Sequence, residues 1–130
     1  MTEIIIITRD IFDMPSKKWL LNTSIINRIG LLNDMMDNIF DIKKIYFDNI
    51  YDDIFACIYK MLILDIPKID KYLGILNESC SLQFLFNIFT VCDYLNIHVI
   101  QIYVSKYIAL RLNKMSFTEL EDIVTLLLDD

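Results

Sequence analysis

The sequence predicts an α+β fold in a single domain of 130 residues, and three observations predict it. A β-branched run, Glu3 to Thr8, stands near the start, and a second alternating segment, Lys43 to Phe47, follows later. Nearly everything after that segment carries apolar residues at helical spacing, punctuated by residues that cap or stop helices. A chain of this length has material for one core, because two would leave each half very small.

Residues 3–8 are continuously apolar enough to suit a strand buried on both faces. Arg9-Asp10 breaks that strand, and Ile11 to Met14 reads as a second, so the chain opens on a hairpin. Pro15, Ser16 and two lysines then suit a helix entry over 16–22, since the first turn leaves N–H groups unpaired anyway. Thr23 or Ser24 can cap a second helix through a hydroxyl acceptor, with Ile25, Ile26, Ile29, Leu32 and Met36 along its stripe. Gly30 inside it costs about 1 kcal/mol against alanine, and a close helix contact would explain it.

Lys43 to Phe47 is the third strand, stopped by Asp48-Asn49. Ile54, Cys57, Ile58, Met61 and Leu62 form the stripe of a third helix. Asp65, Pro67, Gly74 and Ser79 mark 65–80 as a loop with one helical turn over 68–76. Ser79 or Ser81 opens a helix that runs to Leu95 and stops at Asn96. The next spans 97–112, with Ile100, Val104, Tyr107, Ile108 and Leu112 on one side. Ser116 with Glu119, and Thr118 with Glu121, have capping-box spacing at the head of a sixth helix.

Composition narrows the function classes. Hydrophobic residues make up 55% of the chain, more than a domain of this size needs inside, which leaves apolar surface for a partner. Net charge is -6 and the lysines and arginines are scattered, so no basic patch is available for nucleic acid. No apolar run approaches the roughly 20 residues of a membrane helix, and MTEIIIITRD lacks the basic region and long apolar core of a signal peptide. Cys57, Cys80 and Cys92 form an odd, unpaired set that fits a reducing compartment, cytoplasmic or nuclear.

Site chemistry is sparse. His98 is the single histidine, so neither a zinc ligand set nor a nucleophilic triad has its usual parts. Both glycines are isolated, and no loop is built to cradle phosphates. Paired carboxylates such as Asp52-Asp53 suit helix N-termini, where they complement the dipole. The expectation is a protein without catalytic residues, metal or cofactor, whose function lies in a surface.

Residues 82–123 carry a resemblance. LQFLFNIFTVCDYLNI is similar to the helix of Skp proteins and elongin C that ends in Ala-Asn-Tyr-Leu-Asp-Ile, with Cys92, Asp93, Tyr94, Leu95, Asn96 and Ile97 in register. HVIQIYVSKYIALRL looks like the helix that follows it. NKMSFTELEDI looks like the family's Gly-Lys-Thr-Pro-Glu-Glu-Ile segment. At the front, EIIIITRDIFDM resembles the opening hairpin, with Phe12 as the phenylalanine of its second strand. YFDNIYDDIFACIYKML resembles the Leu-Pro-Asn-Val segment and its helix, with Asn49 and Ile50 in place.

The resemblance implies a BTB/POZ fold of the Skp type, a small three-stranded sheet flanked by about six helices. It implies an adaptor that links the N-terminal domain of a cullin to an F-box-like receptor in a ubiquitin ligase. Asp93, Tyr94, Asn96 and Asn49 would face the cullin. Asp93 departs from the family's asparagine, keeping an acceptor but adding charge and losing two donors. Asn96 also reads as a plain helix stop and Asn49 as a helix cap. Val104, Ile108, Leu112, Ile123, Leu126 and Leu127 would face the receptor helix, or belong to the core. In the family further helices that grip the F-box follow this point. The alternative is a self-associating BTB module, a homodimer, although the helix that many such dimers place before the first strand has no counterpart here. On either reading the chain could be a viral or parasite mimic of host adaptors.

Overall fold

The computed structural model describes residues 3–38 and 43–128, with the side chains of 37, 38 and 126–128 outside the described set. The fold is α+β, with a three-stranded mixed sheet and, among the described residues, seven helices. Strand β1 (Ile4–Arg9) lies between β2 (Pro15–Leu21) and β3 (Lys44–Tyr51), antiparallel to the first and parallel to the second. Helices α1 (Thr23–Ile26) and α2 (Gly30–Asn38) lie between β2 and β3 in the chain. Then come α3 (Asp52–Leu62), α4 (Ile66–Ser79), α5 (Leu82–Leu95), α6 (His98–Asn113) and α7 (Phe117–Leu128).

The opening hairpin differs from the sequence reading. Its second strand is 15–21, where a helix over 16–22 is expected, and 11–14 forms the turn. Pairing decides this. Ile4 lies opposite Leu21 and Ile6 opposite Trp19, so the inward residues of both strands meet the core together. Proline is tolerated as the first residue of an edge strand, where its missing N–H breaks no ladder. The turn is built by Asp10, whose carboxylate accepts from the Phe12 and Met14 N–H groups, and by Asp13 at φ 61°. Phe12 is thus an exposed turn residue, and Trp19 is the aromatic of the second strand.

Two other readings change. The predicted second helix divides at Asn27–Ile29, and its cap is Asn22, whose side chain accepts from the Ile25 N–H at 3.0 Å. Residues 66–79 are helix α4 and not a loop. Pro67 stands in its first turn, where proline is harmless, and Ile69 and Leu73 form a buried i, i+4 pair. Gly74 faces Tyr107 of α6, and a Cβ there would meet the tyrosine hydroxyl at 3.1 Å.

The buried apolar residues form one cluster that joins the inner sheet face to α3, α5 and α6. Ile4, Ile6 and Leu21 of the sheet belong to it together with Phe55 and Ile58 of α3 and Leu85 and Ile88 of α5. Each side chain of this kind, fully covered, stabilises by roughly 1.5–3 kcal/mol. Thr8 is the buried polar residue of the sheet, and its hydroxyl bridges Asp52 and Trp19.

Candidate protein-interaction surfaces

Helix α5 starts cleanly, with the Ser81 hydroxyl accepting from the Phe84 N–H at 3.1 Å. It ends at Asn96, which takes the left-handed conformation (φ 59°, ψ 53°). Ile97 N–H donates to Cys92 C=O at 2.9 Å and Asn96 N–H to Asp93 C=O at 3.2 Å, the hydrogen-bond pair of a Schellman motif. Asparagine tolerates this backbone better than most residues, so its helix-stop reading has a physical basis.

That ending puts Asp93 and Tyr94 on the exposed last turn of α5. Tyr94 is 48% exposed, and its ring meets buried Phe47 of β3 edge-on, with centroids 5.9 Å apart and planes at 88°. An edge-to-face pair places the positive rim of one ring against the negative face of the other and adds about 0.5–1.5 kcal/mol to burial. The ring is therefore held while its outer part meets solvent. The Asp93 carboxylate accepts from the Gln101 amide of α6 at 3.2 Å, so the charge is oriented across the α5–α6 turn.

Asn49 is exposed on β3, the strand whose Phe47 braces Tyr94. It does not cap α3: Tyr51 occupies that position, without a side-chain cap bond. Asn49 lies in an irregular stretch of β3, where the parallel register jumps from Ile7–Tyr46 to Arg9–Tyr51. Three of the four cullin-side candidates thus gather at the α5 end, with Asn49 joined to them through β3.

The receptor-side candidates fare differently. Val104 and Ile108 are core residues, buried under neighbouring elements, and present no docking face. Leu112 and Ile123 are partly buried against that core. The Leu126 and Leu127 side chains lie outside the described residues. The outward face of α6 carries what periodicity alone did not single out: Val99, Ile102 and Leu110, with Ile102 67% exposed. Helix α6 is apolar on both sides, so its sequence stripe could not tell inside from outside. Phe47, the brace behind Tyr94, was also missed, because its role depends on a contact distant in sequence.

Among the described residues, titratable groups with displaced values are few. Lys106 first, and then the Tyr107 hydroxyl, hold the Asp70 carboxyl below its usual range and tie α4 to α6. Burial pushes the Cys92 thiol up to about 12, and burial also raises Cys80. Burial and the Cys57 thiol raise the Tyr72 hydroxyl. A cavity of about 330 Å³ opens between the α1–α2 link, the α3–α4 corner and the start of α6. Its lining is mostly apolar, and its titratable members are Arg28 and His98. Arg28 is itself engaged, donating to the backbone carbonyls of Leu62 and Leu64.

Among the described residues no cluster of three His, Cys, Asp or Glu side chains could hold a metal ion, and no helix is long and apolar enough to cross a membrane. No protein-family model matches the chain, and no curated protein is significantly similar to it.

Proposed function

We propose that the protein is a non-enzymatic adaptor of the Skp kind, in which one surface takes the N-terminal domain of a cullin and another takes an F-box-like helix of a receptor. The observation that carries this reading is the α5 end. An exposed tyrosine stands there beside a carboxylate, oriented from below by Phe47 and from the side by Gln101. Pre-oriented tyrosines are favoured anchors in interfaces, because little rotamer freedom remains to be lost on binding. The receptor surface on this reading is the outward stripe of α6, Val99, Ile102 and Leu110, which an amphipathic helix could cover. It replaces the buried Val104 and Ile108 of the sequence reading. Asp93 in place of asparagine narrows the choice to cullins offering a donor or a cation opposite it.

The test is binding of the purified protein to a panel of cullin N-terminal domains, with Tyr94→Ala and Tyr94→Phe beside the wild type. The adaptor reading expects binding that Tyr94→Ala weakens about tenfold or more, roughly 1.4 kcal/mol. Tyr94→Phe, which keeps the edge-on contact with Phe47, should lose less. Absence of binding to every cullin, with the wild type folded, sinks the reading.

A further inference from the structure

We propose that the outward face of the sheet docks helix α7 of a second copy of this chain. The proposal is independent of the adaptor reading and begins with the strand pattern. Along β1, Ile4, Ile6 and Thr8 are buried, while Ile5, Ile7 and Arg9 alternate with them and are only partly covered. The register sets their neighbours. Ile5 lies between Leu20 and Lys44, and Ile7 between Lys18 and Tyr46. Arg9 pairs with Tyr51 and lays its guanidinium 4.2 Å from that ring's centroid. Leu20 and Tyr46 are both substantially exposed. The outer face is thus an apolar strip edged by cations.

Its charge runs against that of the chain, whose net value is -6. Arg9 pairs with Asp13 at 3.5 Å. Lys18 and Lys44 have no ion-pair partner among the described residues. An apolar strip with two free ammonium groups calls for an occupant that is apolar and acidic.

Helix α7 has that chemistry. Between Phe117 and Leu128 it holds Glu119, Glu121 and Asp122 and no lysine or arginine. Glu119 is used in the capping box, with Glu119 N–H donating to the Ser116 hydroxyl at 3.2 Å and the Ser116 hydroxyl donating to the Glu119 carboxylate at 3.1 Å. Spacing of four and then three residues puts Phe117, Glu121 and Val124 on one face. All three are exposed, Phe117 at 75%. Ile123, on another face, packs against its own core. The outward stripe therefore reads apolar, acidic, apolar, the complement of the strip on the sheet. A helix laid on an open sheet face is a stable layer arrangement, and reciprocal exchange across a two-fold axis closes the assembly as a dimer.

Sedimentation and light scattering on the full chain test this, with Lys18→Glu/Lys44→Glu as one variant and Glu121→Lys as the other. The altered side chains are exposed, and circular dichroism checks the fold of each. The proposal expects a wild-type dimer, at least tenfold weaker self-association of each variant alone, and recovery of a dimer when the two variants are mixed in equal amounts. Recovery follows because both exchanged contacts in the mixed dimer regain opposite charges. A wild type that stays monomeric, a dimer that ignores either charge reversal, or variants that do not recover on mixing would each overturn it.

Discussion

Gly30 donates its N–H to the Asn96 carbonyl at 3.1 Å, so the first residue of α2 rests on the residue that closes α5. A Cβ at Gly30 would meet the Asn96 carbonyl oxygen at 2.7 Å and its Cβ at 2.9 Å. The glycine is needed for clearance, since its φ is not positive. The Asn96 Nδ2 lies nearer still and, as a side-chain end, can turn away, but the carbonyl oxygen and Cβ are fixed by the backbone, so relief requires backbone movement. Gly30→Ala should therefore destabilise by about 1–3 kcal/mol, the range for overpacking, despite alanine's better helix propensity. Urea unfolding reads this directly, and a neutral or stabilised variant would contradict the contact.

The Thr8 hydroxyl donates to the Asp52 carboxylate and accepts from the Trp19 indole N–H at 3.0 Å. It links three elements at the hairpin corner: β1, β2 and the head of α3. Thr8→Val keeps the shape but leaves the indole without its acceptor, at a cost of about 1–3 kcal/mol. Thr8→Ser keeps the hydroxyl and loses one methyl, worth about 0.8 kcal/mol. Trp19 is the single tryptophan, so its fluorescence reports both melts. Valine should be the more destabilising of the two, and the opposite order would deny the bridge.

What could be read from the sequence follows from how local each cause is. Strand β1 was legible because Ile4 to Thr8 has strong strand preference whatever lies around it. Strand β2 was not: Pro15 and the adjacent lysines look like a helix entry, and only the pairing of Trp19 with Ile6 makes the segment a strand. Helix α4 was hidden by Pro67 and Gly74, breakers in isolation, which the fold accommodates in a first turn and beneath Tyr107. At the candidate site Tyr94 and Asn96 could be named from a helix-end motif. The Phe47 brace could not, because it joins residues far apart in the chain. Val104 and Ile108 illustrate a different limit, since a helix with apolar residues on both its inner and its outer side does not announce which stripe is inside.

Cys92 is fully buried, and desolvation of the thiolate raises its pKa to about 12. At pH 8 roughly one thiol in 10⁴ would then be ionised, and that one has no path to a reagent. Cys57 and Cys80 are partly exposed. Alkylation of the folded protein followed by peptide mass spectrometry should find Cys92 unmodified until the chain unfolds, with its labelling rate tracking global opening. Labelling of Cys92 as fast as Cys57 would place it outside the core.

Asp70 of α4 accepts from Lys106 Nζ and from the Tyr107 hydroxyl of α6, both at 3.0 Å. The Lys106 bond is the larger cause of its lowered pKa, with Tyr107 second and desolvation opposing. A carboxyl that is more acidic in the folded state adds stability above its unfolded value, near 4. That stability is lost as pH falls through the folded value. Lys106 is raised, chiefly by the same bond, so its contribution is present below its unfolded value and lost as pH rises through the folded one. Asp70→Asn should therefore flatten the stability profile at both limbs, below about pH 4 and again above about pH 10. Both groups are solvent-exposed, so added salt should shrink the difference between variant and wild type. Urea midpoints taken across pH, at low and high salt, test this. Profiles that run parallel at every pH would mean that the cluster holds no more tightly in the folded chain than in the unfolded one.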